Sequence, residues 1–191
     1  MLSIYQYFQC RYITESILFS SEDIKYNLNS WINSKNGKLF ITGYTGSGKS
    51  TISKTLSQKY NTKVIELDEY IKIDEQYVNK LKNENKINEL KKYYQKMIDQ
   101  HITKLLDSDQ KLIIEGIQIF MYSNLEKLKN HSIIITGTSV LKSAIRAYKR
   151  NKNEDFSKEW STLTIISDIY YNLFIRKVED FIKLVKSWEI S

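Results

Sequence analysis

The sequence is poor in cysteine, histidine, glycine and proline, with one cysteine, two histidines, six glycines and no proline among 191 residues. The single cysteine, Cys10, cannot form an internal disulfide, which is typical of a protein from a reducing compartment, so a cytoplasmic location is expected. His101 and His131 are isolated, and no His, Cys and Asp spacing indicates zinc.

Long apolar runs are also missing. No stretch approaches the roughly 18 apolar residues that a membrane helix requires, and the N-terminus lacks the basic start of a signal peptide. A hydrophobic content of 41% beside 27% charged residues is typical of a soluble globular protein. The length is typical of one domain with a substantial core, so we predict a single domain over residues 1–191 without a membrane partner.

Arginine is scarce: of 29 basic residues only four are arginine, and Arg146 and Arg150 lie four positions apart. The formal net charge of +7 favours phosphate-bearing partners. AT-rich coding produces a lysine-rich composition of the same kind, so the charge does not establish nucleic-acid binding. Where lysine is the default cation, a retained arginine indicates a need for planar, forked donors.

Three of the six glycines fall within one short segment, FITGYTGSGKS, which runs from Phe40 to Ser50. From Gly43 onward it matches G-x-x-x-x-G-K-[ST] between a strand-like and a helix-like segment, as that phosphate-binding loop requires. The glycines let backbone N–H groups point at a polyphosphate, and the helix adds its positive N-terminal end. Lys49 is expected to reach the β- and γ-phosphates, and the Ser50 hydroxyl to hold Mg²⁺. The predicted ATP-binding residues are Gly43, Tyr44, Thr45, Gly46, Ser47, Gly48, Lys49, Ser50 and Thr51.

Short apolar runs alternate with amphipathic segments, which predicts an α/β fold whose parallel sheet of about four or five strands is flanked by helices. Together with the loop, this pattern predicts a three-layer P-loop NTPase fold. The predicted strands are residues 38–42, 63–67, 111–120 and 132–137, and the predicted helices are residues 20–33, 49–60, 74–108, 139–150 and most of 157–188.

Two carboxylates are candidates for the side where an open α/β sheet binds ligands: Asp68 follows the predicted strand 63–67, and Glu115 follows the apolar residues 112–114. Asp68 is placed to accept a proton from an attacking hydroxyl, or to orient Mg²⁺ through water. Glu115 precedes Gly116 and is placed to hold Mg²⁺ or its water shell. The alternatives are structural: Asp68, or its neighbour Glu69, caps a helix, and Glu115 is a solvent-exposed acid at a strand end.

Arg146 and Arg150 project from one side of the predicted helix 139–150. Phosphoryl transfer requires such donors over its developing negative charge. The charged segment 151–157 that follows has the character of a mobile lid. The alternative is a solvated basic helix face.

The segments GYTGSGKS, IELDEY, IIEGIQIF and RAYKRN, in this order, resemble the small P-loop kinases, particularly the uridine kinase and nucleoside kinase group. They are also similar to zeta-toxin-type and polynucleotide kinases. The resemblance implies that Asp68 is the catalytic base, that Glu115 is a Mg²⁺-side or substrate-contacting acid, and that Arg146 and Arg150 are arginines of a helical lid.

The resemblance spans about residues 38–153. It implies that residues 74–108 are a helical insertion over the acceptor substrate, where tyrosines either stack on a base or pack ordinarily. Residues 1–36 are predicted to form a helical extension without a counterpart in these kinases. This aromatic N-terminal part either covers the sheet edge or docks a partner, which includes a second copy of the chain in a homodimer.

Three functions remain open. The first is an ATP- and Mg²⁺-dependent phosphotransferase that acts on a hydroxyl of a nucleoside, nucleotide or related small molecule. The second is a kinase whose acceptor is nucleic acid, either a 5′ end or a modified base. The third is a nucleotide-dependent switch or ATPase without a phosphoacceptor. In the first, the catalytic residues are Lys49, Asp68, Arg146 and Arg150, the metal residues are Ser50 and Glu115, and the substrate contacts are Asp68 and Glu115.

Overall fold

The computed structural model describes residues 23–43, 47–137 and 180–188. Its strands are β1 (Ile24–Tyr26), β2 (Lys38–Gly43), β3 (Lys63–Glu66), β4 (Leu112–Glu115) and β5 (Ser132–Thr136). Its helices are α1 (Leu28–Asn33), α2 (Lys49–Tyr60), the single turn α3 (Leu67–Tyr70), α4 (Glu75–Asn83) and α5 (Ile87–Leu106). Two 3₁₀ segments, Ile117–Met121 and Leu125–Asn130, precede β5, and residues 180–188 are helical.

The five strands form one sheet in the order β1-β5-β2-β4-β3. All neighbours are parallel except β1, which runs antiparallel to β5 at one edge. The carboxyl ends of the four parallel strands therefore meet along the same side of the sheet, with β2 in the middle. This confirms the predicted α/β fold.

Side chains of β2 alternate between the two faces of the sheet, as the pleat requires. Phe40 packs into the larger core cluster with Ile102 of α5 and with Phe181. Leu39 and Ile41 face the opposite way, toward Trp31 of α1 and the apolar side of α2. Because both faces are covered by helices, the strands are continuous apolar runs.

The predicted helix over residues 20–33 is wrong at Ile24–Tyr26, which form β1. Ile24 pairs with Ile135 of β5, so the sheet supplies hydrogen bonds that a helix would otherwise make internally. Asn27 then adopts a left-handed conformation, and α1 begins at the next residue. The edge of β5 thus overrides the helical pattern of the sequence.

The third predicted strand, residues 111–120, is also wrong in its second half. β4 ends at Glu115, and Ile117–Met121 form a 3₁₀ turn. Ile119 and Phe120 are buried in the core from this turn, so their apolar character serves packing outside the sheet.

The helices of residues 74–108 are confirmed, but they divide into α4 and α5. Asn85 is left-handed (φ 54°), and the Lys86 amide bonds back to the Leu81 carbonyl, which ends α4. The predicted helix 139–150, the lid segment 151–157 and most of 157–188 lie outside the described residues. Within the described ranges, no helix is long and apolar enough to cross a membrane.

Lys38 lies at the amino end of β2, away from the phosphate loop. Its side chain is buried, and its ammonium donates to the carbonyls of Asn36, Ser108 and Gln110 at 2.6–2.8 Å. Burial lowers the pKa of Lys38, and the charge of Asp109 partly opposes this. Lys38 therefore joins the start of β2 to the turn that precedes β4.

His131 packs edge-on against Phe40, with ring centroids 6.0 Å apart, and its pKa is lowered by burial and by the charge of Lys38. Because the unfolded chain takes up a proton at about pH 6.5, before the folded chain does, the free energy of unfolding should fall as pH drops below that value. Urea unfolding between pH 7.5 and 5 measures this. His131→Gln should flatten the dependence, and an unchanged slope would contradict the assignment.

Candidate active site

The phosphate-binding loop begins where β2 ends, between β5 on one side and β4 on the other. Gly43 has φ +144°, and a Cβ there would clash with the Thr136 hydroxyl and lie 2.9 Å from Ser47 Oγ. Both the backbone angle and the space therefore require glycine. Residues 44–46, which include the predicted ATP contacts Tyr44, Thr45 and Gly46, lie outside the described residues.

A chain of hydroxyl groups fastens the far end of the loop to β5. The Thr136 hydroxyl donates to the Thr42 carbonyl at 3.1 Å, so its oxygen accepts from the Ser47 hydroxyl. All three residues are buried. Thr136 was not predicted from the sequence. The feature of the sequence that could have indicated Thr136 is that this polar residue directly follows the three isoleucines of β5.

The start of α2 suits a polyphosphate. Gly48 is left-handed (φ 100°), and its carbonyl accepts from the Thr51 and Ile52 amides. No side chain of the described residues caps this end, and the first turn contains no acidic residue. The first amides of a helix lack partners within it and carry partial positive charge, so an anion satisfies them. Lys49 and Ser50 are the first two residues of α2.

Glu115, the last residue of β4, is buried, with 6% of its surface exposed. Its two carboxylate oxygens accept separate hydrogen bonds, from Ser50 Oγ at 2.7 Å and from Ser53 Oγ at 2.6 Å. The parallel register places Glu115 beside Ile41 of β2, two residues before Gly43. The alternative of a solvent-exposed acid is therefore wrong.

The Ser50 hydroxyl and the Glu115 carboxylate fit Mg²⁺, which prefers hard oxygen ligands. No group of three or more His, Cys, Asp or Glu residues is placed for a metal within the part of the chain that the structure describes. Mg²⁺ is usually held by one or two protein ligands together with substrate phosphates and water.

Asp68 lies within the single turn α3, immediately after β3, and its side chain is exposed. The N-cap position of α3 is Glu66, so Asp68 does not serve as that cap. Gln118 Nε2 donates a short hydrogen bond to Asp68 Oδ1. Since β3 lies beside β4, Asp68 and Glu115 emerge from neighbouring strands at the same side of the sheet.

The helices α4 and α5 form a small core of their own, built from Val78, Leu81 and Leu90. Tyr93 accepts from the Asp74 amide and packs edge-on against Tyr77, with centroids 5.0 Å apart. These contacts pack Tyr77 and Tyr93 against each other, while Tyr77 stays exposed. A role over the acceptor stays a prediction, and Arg146 and Arg150 lie outside the described residues.

A family model described as AAA domain (AAA_17) matches residues 42–155, more than half of the chain. The chain belongs to this AAA domain family. Among solved structures, a shikimate kinase from Acinetobacter baumannii in complex with shikimate is similar at 14% identity and a TM-score of 0.45, over 84% of this chain and 80% of that one. No curated protein matches the chain. The match to the AAA domain begins at Thr42 and includes the loop, Asp68, Glu115 and both arginines.

Ser53 of the AAA domain was missed from the sequence, although its hydroxyl fixes Glu115. Ser53→Ala should lower the free energy of unfolding by about 1–3 kcal/mol, because a buried carboxylate oxygen loses its donor. Urea denaturation measures the change. The control is Thr55→Ala, which removes an exposed hydroxyl of the same helix and should cost less than about 0.5 kcal/mol. If Ser53→Ala lowers the free energy of unfolding no more than Thr55→Ala does, the bond from Ser53 to Glu115 does not stabilise the fold.

Proposed function

We propose that the protein is an ATP- and Mg²⁺-dependent phosphotransferase that moves the γ-phosphate to a hydroxyl group of a nucleoside, nucleotide or related small molecule. The observation that carries the proposal is the contrast between two neighbouring carboxylates. Glu115 is buried and bonded by Ser50 and Ser53, whereas Asp68 is exposed one strand away. The first suits a metal, and the second suits a proton acceptor that a substrate can reach.

The loop amides and Lys49 bind the β- and γ-phosphates of ATP. Mg²⁺, held by Ser50 and by Glu115 directly or through water, would neutralise charge on the phosphate oxygens when bound. Asp68 accepts the proton of the acceptor hydroxyl while that oxygen bonds to the γ-phosphorus and the bond to the bridging oxygen breaks, which leaves ADP. Arg146 and Arg150 are proposed to close over the transferring group and exclude water.

We also propose a cytoplasmic location. A chain with one cysteine cannot form an internal disulfide, which is typical of proteins from a reducing compartment. The acceptor is proposed to be small because α4 and α5, which follow Asp68 in the chain, would cover a compact substrate. The charge of +7 supports the alternative of a nucleic-acid acceptor, which would be recognised by a steep loss of binding in salt.

The test is ATP turnover with Mg²⁺ against nucleosides, nucleotides, nucleotide sugars and 5′-hydroxyl oligonucleotides. Mass spectrometry seeks a gain of about 80 Da, the mass of one transferred phosphoryl group. A phosphorylated small molecule would support the proposal. A phosphorylated oligonucleotide would replace the small acceptor with nucleic acid, and hydrolysis without any product would favour a switch or ATPase.

A further inference from the structure

Gln118 connects the 3₁₀ segment after β4 to the turn that carries Asp68. Its Nε2 donates to Asp68 Oδ1 across 50 positions of sequence. The backbone at both ends of this bond is held in the core, because Leu67 precedes Asp68 in the chain, Ile119 follows Gln118, and both apolar side chains are fully buried. The bond therefore ties an exposed carboxylate to the core.

The other end of the same amide is unsatisfied. Gln118 Oε1 is buried and has no hydrogen-bond partner among the residues that the structure describes. A buried acceptor without a donor destabilises a fold. Turning the amide over would place Oε1 against the Asp68 carboxylate, which has only acceptor oxygens when ionised. Donation to Asp68 therefore sets the orientation of the Gln118 amide and leaves its Oε1 without a donor.

Gly116 makes room for this arrangement. Its amide donates to the Ile41 carbonyl at 3.1 Å, which fixes it against β2. A Cβ at this position would lie 2.5 Å from Gln118 Oε1 and 2.8 Å from Leu67 Cβ. No side chain fits there unless Gln118 or α3 moves, so Gly116, Leu67 and Gln118 together support Asp68.

We infer that Gln118 is a positioning residue that holds the Asp68 carboxylate in one orientation, with Oδ1 occupied and Oδ2 left to accept the proton of the acceptor hydroxyl. The inference rests on the proposed function, in which Asp68 is the base. It goes beyond it by assigning the unpartnered amide oxygen of Gln118 to the orientation of that base. The unpartnered oxygen destabilises the fold, so we assign the bond from Gln118 to the orientation of Asp68 and not to stability.

The test is Gln118→Met, which keeps the length of the side chain and removes both polar ends. The melting temperature should stay the same or rise, because the unpartnered oxygen is gone. Turnover at saturating ATP should fall on the order of tenfold, the effect of one hydrogen bond to a charged group, with the KM for ATP unchanged. Turnover is measured as phosphoryl transfer to one of the acceptors tested above, by the gain of about 80 Da in the product.

The matched control is Gln100→Met, an exposed glutamine of α5, which should change neither quantity. A lower melting temperature for Gln118→Met would make Gln118 a structural residue, and unchanged turnover would overturn the inference. If Asp68→Asn abolishes turnover while Gln118→Met retains it, only this inference fails. If Asp68→Asn retains turnover, Asp68 is not the base, and the inference fails while phosphoryl transfer stands. If the wild type transfers no phosphoryl group to any acceptor, the proposed function fails and the inference fails with it.

Discussion

Asp68→Asn is expected to lower turnover by about 10²–10⁴-fold, the usual contribution of a general base, while ATP binds with wild-type affinity. Asparagine has the shape of aspartate, and its carbonyl oxygen can still accept from Gln118 Nε2, but it cannot take up the acceptor proton. The loop and α2 are untouched by the change, so the nucleotide site is preserved. Initial rates at saturating ATP give the loss, and titration with a fluorescent ATP analogue gives the affinity.

Glu69→Gln is the matched control for Asp68→Asn. Glu69 is the next residue of α3, is also exposed, and loses the same charge on substitution. Normal turnover in Glu69→Gln beside a collapse in Asp68→Asn would assign the base to one carboxylate. Equal losses would indicate that the negative charge of α3 matters rather than a proton acceptor. Normal turnover in Asp68→Asn would show that the base was assigned wrongly.

The parts of the site that the sequence predicts are those with strong local signals. Gly43 and Gly48 have positive φ angles that favour glycine, and α2 spans Lys49–Tyr60 as its periodicity predicts. Glu115 is predicted as a candidate because it follows a run of apolar residues, and Asp68 because it follows a strand. In each case the neighbouring residues contain the information, since one strand end or one turn decides the position.

The parts that the sequence does not predict depend on residues far apart in the chain. Ser53 is a small residue on a helix face, and its bond to Glu115 spans 62 positions. Thr136 reaches Ser47 across 89 positions. Nothing in the spacing of hydroxyl residues distinguishes these from the other serines and threonines of the chain. Only the adjacency of β4, β2 and β5 in the sheet brings them to the loop.

The error at β1 has the same origin. Ile24 and Tyr26 are half-buried and Lys25 is exposed, an alternation too short to be distinguished from one turn of helix. Pairing with β5 decides between the two, and β5 begins more than 100 positions later. The second half of the predicted third strand fails differently, because Ile119 and Phe120 are buried by a 3₁₀ turn and not by the sheet.

Glu115→Gln is expected to raise the Mg²⁺ concentration needed for half-maximal turnover by about 10–100-fold, the usual effect of removing a group that supports a bound metal. Glutamine keeps one acceptor oxygen, so either Ser50 or Ser53 loses the acceptor of its hydroxyl, and the negative charge that attracts the cation is gone. Magnesium titrations of ATP turnover measure the shift.

Glu66→Gln is the control for Glu115→Gln, because Glu66 pairs with Glu115 in the register of β3 and β4. It loses the same charge at the same side of the sheet, but no serine bonds to its carboxylate among the hydrogen bonds of the described residues. A shift confined to Glu115→Gln would place Glu115 at the metal site. A shift of equal size in both variants would mean that the total negative charge at this edge of the sheet attracts Mg²⁺, and not Glu115 in particular. Unchanged Mg²⁺ dependence in Glu115→Gln would show that Glu115 does not belong to the metal site.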